Sequence, residues 1–362
     1  MKKVLILVNH DVVIYNFRKE LVERLLNDGY EVYISSPYGE RIDDLKKLGC
    51  KYVEATIARH GTNPIEELKL LRYYKKIMKE IKPDIVLSYT IKPNIYGGMA
   101  SASLNIPYIA NITGLGTAVE NDGIMQKVTV LLYKYAFRKI SCLFFQNEEN
   151  KQFFVNKNIA VGKHRLIPGS GVNLDHFTVL EYPPEDTIEF VFISRIMKEK
   201  GIDQYLEAAK YIREKYANTR FHIIGFCEED YADRFRELKG IVGYHGMQRD
   251  IRSFLEKTHC TVHPTYYPEG MSNVLLESAA SGRPIITTNR SGCREVVDEG
   301  INGLIVEQRN SRDLIEKIEK FISLNYDQRR KMGILGRRKM EHEFDRALVI
   351  EIYMEEINTL FC

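Results

Sequence analysis

What most constrains the fold of this chain of 362 residues is the alternation of short apolar runs with segments of helical period. The opening reads VLILV, YNFRKELVERLLNDG, EVYISSP and ERIDDLKKLG. Short runs that are apolar throughout, rather than at every second residue, belong to strands covered on both faces. Their alternation with helices builds right-handed βαβ units around parallel sheets. Further strands are expected at DIVLSY, PYIANIT, CLFFQ and HRLIPG. The rhythm breaks at residues 173–188, an irregular stretch carrying Pro183 and Pro184 that reads as a linker. A second series follows, with strands at EFVFISR, RFHIIG, IVGYHG, CTVHPTY, PIITTN and GLIVE and helices such as GIDQYLEAAKYIREKY. The expected class is α/β, with two doubly wound, Rossmann-like domains at residues 1–172 and 173–340, a division that suits a chain of this length. Helix-forming residues 341–362 are expected to pack back toward the first domain.

Composition excludes several classes. The net charge is +3, from 52 basic and 49 acidic residues, which leaves no global footprint of a nucleic-acid binder. Cys50, Cys142, Cys227, Cys260, Cys293 and Cys362 are scattered, without a CxxC pair or a histidine at metal-ligand spacing, which fits reduced thiols in the cytoplasm. MKKVLILVNHD has five consecutive apolar residues, too few for a signal-peptide core or a membrane span, and reads as a first buried strand. No GxGxxG opens a helix after a strand, which argues against a dinucleotide dehydrogenase.

In open parallel sheets the ligand crevice lies beyond the carboxyl ends of the strands. Glu269 and Glu277, eight positions apart in PEGMSNVLLE, bracket such an end, where a strand turns into a short helix capped at Ser272 or Asn273 and closed by Gly282. Backbone N–H groups at that helix start suit a phosphate. The alternative is an ordinary capped helix with solvated acids. ISRIMKEKG places Arg195 and Lys200 around another strand end, able to grip a diphosphate by paired N–H contacts and a point charge, or else serving as surface cations. Gly169 and Gly171 around Ser170 mark a turn that either joins domains or approaches a ligand closely. Gly225, Gly246 and the neighbouring Met247 and Asp250 stand at strand ends able to line a base pocket.

Taken in order, SRIMKEKG, the EGMSNVLLE run and SGVN resemble the retaining glycosyltransferases of the GT-B fold, family 4 of the sequence classification, over essentially the whole chain. The resemblance implies two Rossmann-like domains facing a central cleft, with a nucleotide-sugar donor on the second and the acceptor on the first. It implies that Arg195 and Lys200 neutralise the donor diphosphate, that Glu269 contacts the transferred sugar and that Glu277 accepts from the ribose hydroxyls. Backbone groups of Gly270, Met271, Ser272, Asn273 and Val274 would support sugar and phosphate, with Gly225 and Met247 near the base. No divalent metal or other cofactor is implied, since cations and a helix dipole supply the charge; the sequence offers no DxD motif in a suitable strand-end loop.

One departure from the family stands out. Many members carry a histidine after a first-domain strand, where this chain has Thr113 and Gly114 in NITGLG. TGLG and YTIKPNIYGG resemble a subgroup that elongates polyprenyl-diphosphate-linked saccharides in bacterial capsule, exopolysaccharide, O-antigen and glycoprotein glycan assembly. A UDP-sugar carrying a hexose or N-acetylhexosamine is then the expected donor. His10 is a substitute for the missing histidine or a structural residue. Arg18, Arg59 and Lys92 are candidate contacts for the acceptor diphosphate, with solvated surface charge as the alternative. GIMQKVTVLLYKYAFRKI is amphipathic and basic, suited either to the inner face of the cytoplasmic membrane or to packing between two strands. The competing functions are a nucleotide-sugar epimerase of the same architecture and a non-catalytic nucleotide-sugar-binding partner.

Overall fold

The computed structural model describes residues 1–56, 63–120 and 122–361. Two compact units divide the chain: Met1–Ser170 with Ala347–Cys362, and Gly171–Arg346. The boundaries expected from sequence fell after residues 172 and 340.

The first unit is built on a parallel seven-stranded sheet. Its strands are β1 (Lys3–Leu7), β2 (Glu31–Ser36), β3 (Lys51–Glu54), β4 (Ile85–Tyr89), β5 (Tyr108–Ile112), β6 (Cys142–Phe145) and β7 (His164–Leu166), in the order β3-β2-β1-β4-β5-β6-β7. β1, β4, β5 and β6 are buried almost throughout, as their unbroken apolar runs require. β3 carries no such run and is only half-buried, because it lies at the sheet edge. The helix expected over YNFRKELVERLLNDG is two helices, α1 (Asp11–Phe17) and α2 (Lys19–Asn27), broken at Arg18 with φ −140°. The long α3 (Pro64–Ile81) starts with Pro64 in its first turn behind an Asn63 cap, an arrangement suited to proline because first-turn N–H groups have no intrahelical acceptor. The basic amphipathic segment forms α4 (Ile124–Ala136). From the terminal helix Arg346–Thr359, Val349, Tyr353, Met354 and Ile357 join the core of this unit beneath β1 and β2.

The second unit holds a parallel six-stranded sheet of β8 (Ile188–Ile193), β9 (Thr219–Ile224), β10 (Val242–Tyr244), β11 (Cys260–His263), β12 (Ile285–Thr288) and β13 (Gly303–Val306), ordered β10-β9-β8-β11-β12-β13. All six coincide with strands expected from the sequence. Three helices matter here: α5 (Ile202–Lys215), α6 (Asn273–Ala280) and α7 (Tyr326–Glu343). The chain order reverses between β8 and β11, which pair in parallel with Thr261 opposite Val191. A ligand crevice is expected beyond the carboxyl ends of those two strands. No helix among the described residues is long and apolar enough to cross a membrane.

Candidate functional site

The loops that follow β8 and β11 bring Arg195, Lys200, Tyr267 and Glu269 together. After β8 the chain makes one tight turn, Lys198–Lys200, and Gly201 at φ +79° then starts α5. A Cβ at Gly201 would overlap the Pro264 carbonyl just beyond β11, so only glycine lets the two loops approach this closely. Lys200 is buried, and its Nζ donates to Glu269 Oε1. Arg195 Nη1 donates to Glu228 Oε2 at 2.5 Å. Both cations lie over the Tyr267 ring, Arg195 at 5.1 Å and Lys200 at 4.6 Å from its centroid. Burial works to raise the Glu269 pKa, but the Lys200 ammonium, reinforced by Arg195, brings it below the ordinary carboxylate value. Two positive side chains thus share one aromatic ring beside a carboxylate held ionised.

A third loop, after β12, presses on the first two. Gly292, at φ +87°, accepts a hydrogen bond from Ser272 N–H at 2.8 Å, and a Cβ there would come within 2.6 Å of the Gly270 carbonyl. Ser272 is the N-cap of α6 without a side-chain cap; Leu275 N–H donates to its carbonyl, while the N–H groups of Asn273 and Val274 have no acceptor within the helix. The Ser272 hydroxyl lies 3.4 Å from His263 Nε2. His263 is fully enclosed, and burial, assisted by the charge of Lys200, drives its pKa down to about 3; it is a neutral prop under the loop. Glu277 stands one turn into α6. Burial lifts its pKa to about 7, against the opposing pull of the Arg346 guanidinium. Gly171, φ +63°, packs on the backbone of Arg346, with an added Cβ only 2.5 Å from its Cα, so this glycine serves a close approach of the chain to itself.

The remaining donor candidates occupy neighbouring strand ends. Gly225 follows β9 at φ +145°, and a Cβ there would overlap the Ser194 carbonyl. Met247 is 67 % exposed on the loop after β10. Met271 is buried, in the cluster formed with Leu275 and Leu276 of α6.

In the first unit the candidates are more dispersed. Arg18 is not at an open surface: it is 2 % exposed, 5.0 Å from the Tyr89 ring centroid and 5.8 Å from that of Tyr353, with Nη1 donating to Phe17 O at 2.7 Å. Solvated surface charge, the alternative raised for it, is corrected by that burial. Lys92 is likewise no free cation, since Nζ lies 2.7 Å from Glu67 Oε1. His10 caps α1, with Nδ1 3.3 Å from Val12 N and 2.9 Å from Asp11 Oδ1. Thr113 and Gly114 follow β5, partly buried. Arg59 lies outside the described residues. Tyr267, His263, Gly292 and Arg346 were not singled out from sequence; the first two stand within six residues of Glu269, and that proximity was the one available signal.

Comparison with known proteins agrees with this architecture. A family model described as "Glycosyl transferase 4-like" matches residues 3–147, and one described as "Glycosyl transferases group 1" matches residues 181–339. The chain is 26 % identical to the N,N'-diacetylbacillosaminyl-diphospho-undecaprenol alpha-1,3-N-acetylgalactosaminyltransferase of Campylobacter jejuni, over 94 % of each protein. It is 26 % identical to an Escherichia coli UDP-Gal:alpha-D-GlcNAc-diphosphoundecaprenol alpha-1,3-galactosyltransferase, covering 79 % of this chain and 78 % of that one. Among solved structures, Anabaena Alr3699/HepE in complex with UDP superposes with a TM-score of 0.80 at 16 % identity, over 99 % of this chain and 100 % of that one. With both halves matched by family models and the paired parallel sheets in place, the chain belongs to the glycosyltransferases of the GT-B fold.

Proposed function

We propose that this glycosyltransferase moves a hexose or N-acetylhexosamine from a UDP-sugar to a polyprenyl-diphosphate-linked saccharide, with retention of anomeric configuration and without a divalent metal. The observation that carries the reading is the convergence of Arg195 and Lys200 on Tyr267, with Glu269 paired to Lys200, at the switch point of the second sheet. Departure of a nucleoside diphosphate builds negative charge on its β-phosphate. Arg195, Lys200 and the first turn of α6 stabilise that charge more in the transition state than in the intact donor, which lowers the barrier. Glu277 takes the ribose hydroxyls, Glu269 the transferred sugar, and backbone groups from Gly270 to Val274 the sugar and phosphate oxygens. The acceptor hydroxyl attacks on the face the diphosphate leaves, and the phosphate takes its proton, so no enzyme nucleophile is required.

The names of the two curated relatives, both acting on diphospho-undecaprenol-linked sugars, support the acceptor class. The galactosyltransferase name and the UDP complex of the Anabaena protein support the donor. Lys92, His10, Thr113 and Gly114 are proposed to serve the acceptor on the first unit, at the inner face of the cytoplasmic membrane, while the buried Arg18 supports Tyr89. Incubation with a panel of UDP-sugars and polyprenyl-diphosphate saccharides, read by UDP release and product mass, tests the reading. Glycosylated lipid with the donor's anomeric configuration supports it. A sugar epimerised without acceptor, or no turnover of any nucleotide sugar, contradicts it.

A further inference from the structure

We propose that an apolar groove in the first unit, between α3 and α4, seats the hydrocarbon chain of a polyprenyl diphosphate. The proposal rests on the acceptor class given above and adds where the lipid is held. The groove has a volume of about 590 Å³ and is walled by Leu68 and Leu71 of α3, Ile95 beyond β4, and Met125, Val128 and Leu132 of α4. Its polar wall groups are largely occupied: Lys92 pairs with Glu67 at 2.7 Å, and Thr129 Oγ1 donates to Met125 O at 2.9 Å. One Glu67 oxygen is buried without a hydrogen-bond partner. A strongly polar ligand would lose its water here and gain few hydrogen bonds, whereas a hydrocarbon gains by burial.

Charge around the groove narrows the occupant. The exposed face of α4 continues the apolar wall with Ile124, 82 % exposed, and Leu131. From Ile124 to Lys139 the chain carries Lys127, Lys134, Arg138 and Lys139, all exposed, and no acidic residue. A slot for hydrocarbon whose α4 wall carries these cations on its exposed side complements a lipid whose head is a diphosphate.

The chain contains no tryptophan, so Leu68→Trp installs a single indole on the groove wall. Titration of that variant with farnesyl diphosphate is expected to give a saturable blue shift. Adding Val128→Glu should abolish the shift, and Tyr211→Trp, an exposed position in the second unit, should not respond. With acceptors, the protein should show a KM at least about tenfold lower for a polyprenyl-diphosphate saccharide than for the same saccharide diphosphate on a short alkyl chain, since burying two methylene groups supplies that factor. Val128→Glu should erase the difference and leave turnover of the short-chain acceptor intact. Val128 is half exposed, so the variant is expected to fold, and an unchanged melting curve checks this. An indole blind to farnesyl diphosphate, a stronger response to dihexanoyl phosphatidylglycerol, or a chain-length preference that survives Val128→Glu overturns the proposal. Farnesyl diphosphate binding without transfer to either acceptor upholds the groove and counts against the acceptor class instead.

Discussion

Lys200 and Glu269, on loops that follow the two strands flanking the switch point of the second sheet, form an ion pair in which the lysine is buried and the glutamate mostly so. The pair holds an ammonium ready for an incoming phosphate while keeping the carboxylate ionised in a site that would otherwise favour its proton. Removing one partner of such a pair strands the other charge, at a cost of about 3–5 kcal/mol. Lys200→Met should therefore lower the urea midpoint markedly, and Lys200→Met with Glu269→Gln should recover most of the loss. Equal stability of the single and double variants would contradict the coupling.

Tyr267 presents one ring to two cations, so it orients both. Tyr267→Phe keeps the ring face and is expected to retain turnover within a few-fold. Tyr267→Ala frees both side chains and should reduce kcat by about 10–100-fold, the range for losing part of a prearranged charge-stabilising group. Steady-state kinetics on the two variants decide this, and an equal loss in both would assign the effect to the hydroxyl.

Much of this arrangement is legible in the sequence, for identifiable reasons. Strands buried on both faces leave unbroken apolar runs, and the Glu269 to Glu277 segment carries its strand, turn and helix in one continuous stretch. The break at Arg18 leaves no such mark, because the residues around it are ordinary helix formers and the cause is tertiary, a guanidinium buried beside Tyr89 and Tyr353. β3 was passed over because an edge strand has little apolar signal. The pairing of Lys92 with Glu67 joins residues 25 positions apart, and no local pattern announces it. His263 and Tyr267 gain their roles from sheet register and loop approach, which sequence spacing alone does not encode.

Glu277 should impose a pH dependence on donor binding. Its pKa is raised from 4.5 to about 7, and the ionised form is the one that accepts from ribose hydroxyls. The donor KM is expected to rise as pH falls through about 7, and Glu277→Gln should lack that inflection. Stability runs the other way: with a folded pKa above the unfolded one, the carboxyl's contribution is complete below about pH 4.5 and lost as pH rises through about 7. The melting temperature of the native chain relative to Glu277→Gln should fall across that window; a constant difference from pH 4 to 8 would contradict the assignment.

Gly292 tests the third loop. At φ +87°, with Gly270 O 2.6 Å from any added Cβ, Gly292→Ala combines backbone strain with a clash, together about 1–3 kcal/mol. The expected result is a raised donor KM with far smaller change in the acceptor KM, measured by varying each substrate in turn. A variant with native donor KM would separate this loop from the site.

The central claim is that Arg195 and Lys200 at the switch point of the second sheet hold a nucleoside diphosphate, and calorimetric titration with UDP in the presence of EDTA tests it most directly. One UDP per chain is expected to bind the native protein under these conditions, and Arg195→Ala with Lys200→Ala should weaken it by at least about 100-fold, the effect of losing two charge-assisted contacts. Undiminished UDP affinity in the folded double variant, or no binding to the native chain until a divalent metal is restored, would contradict the account.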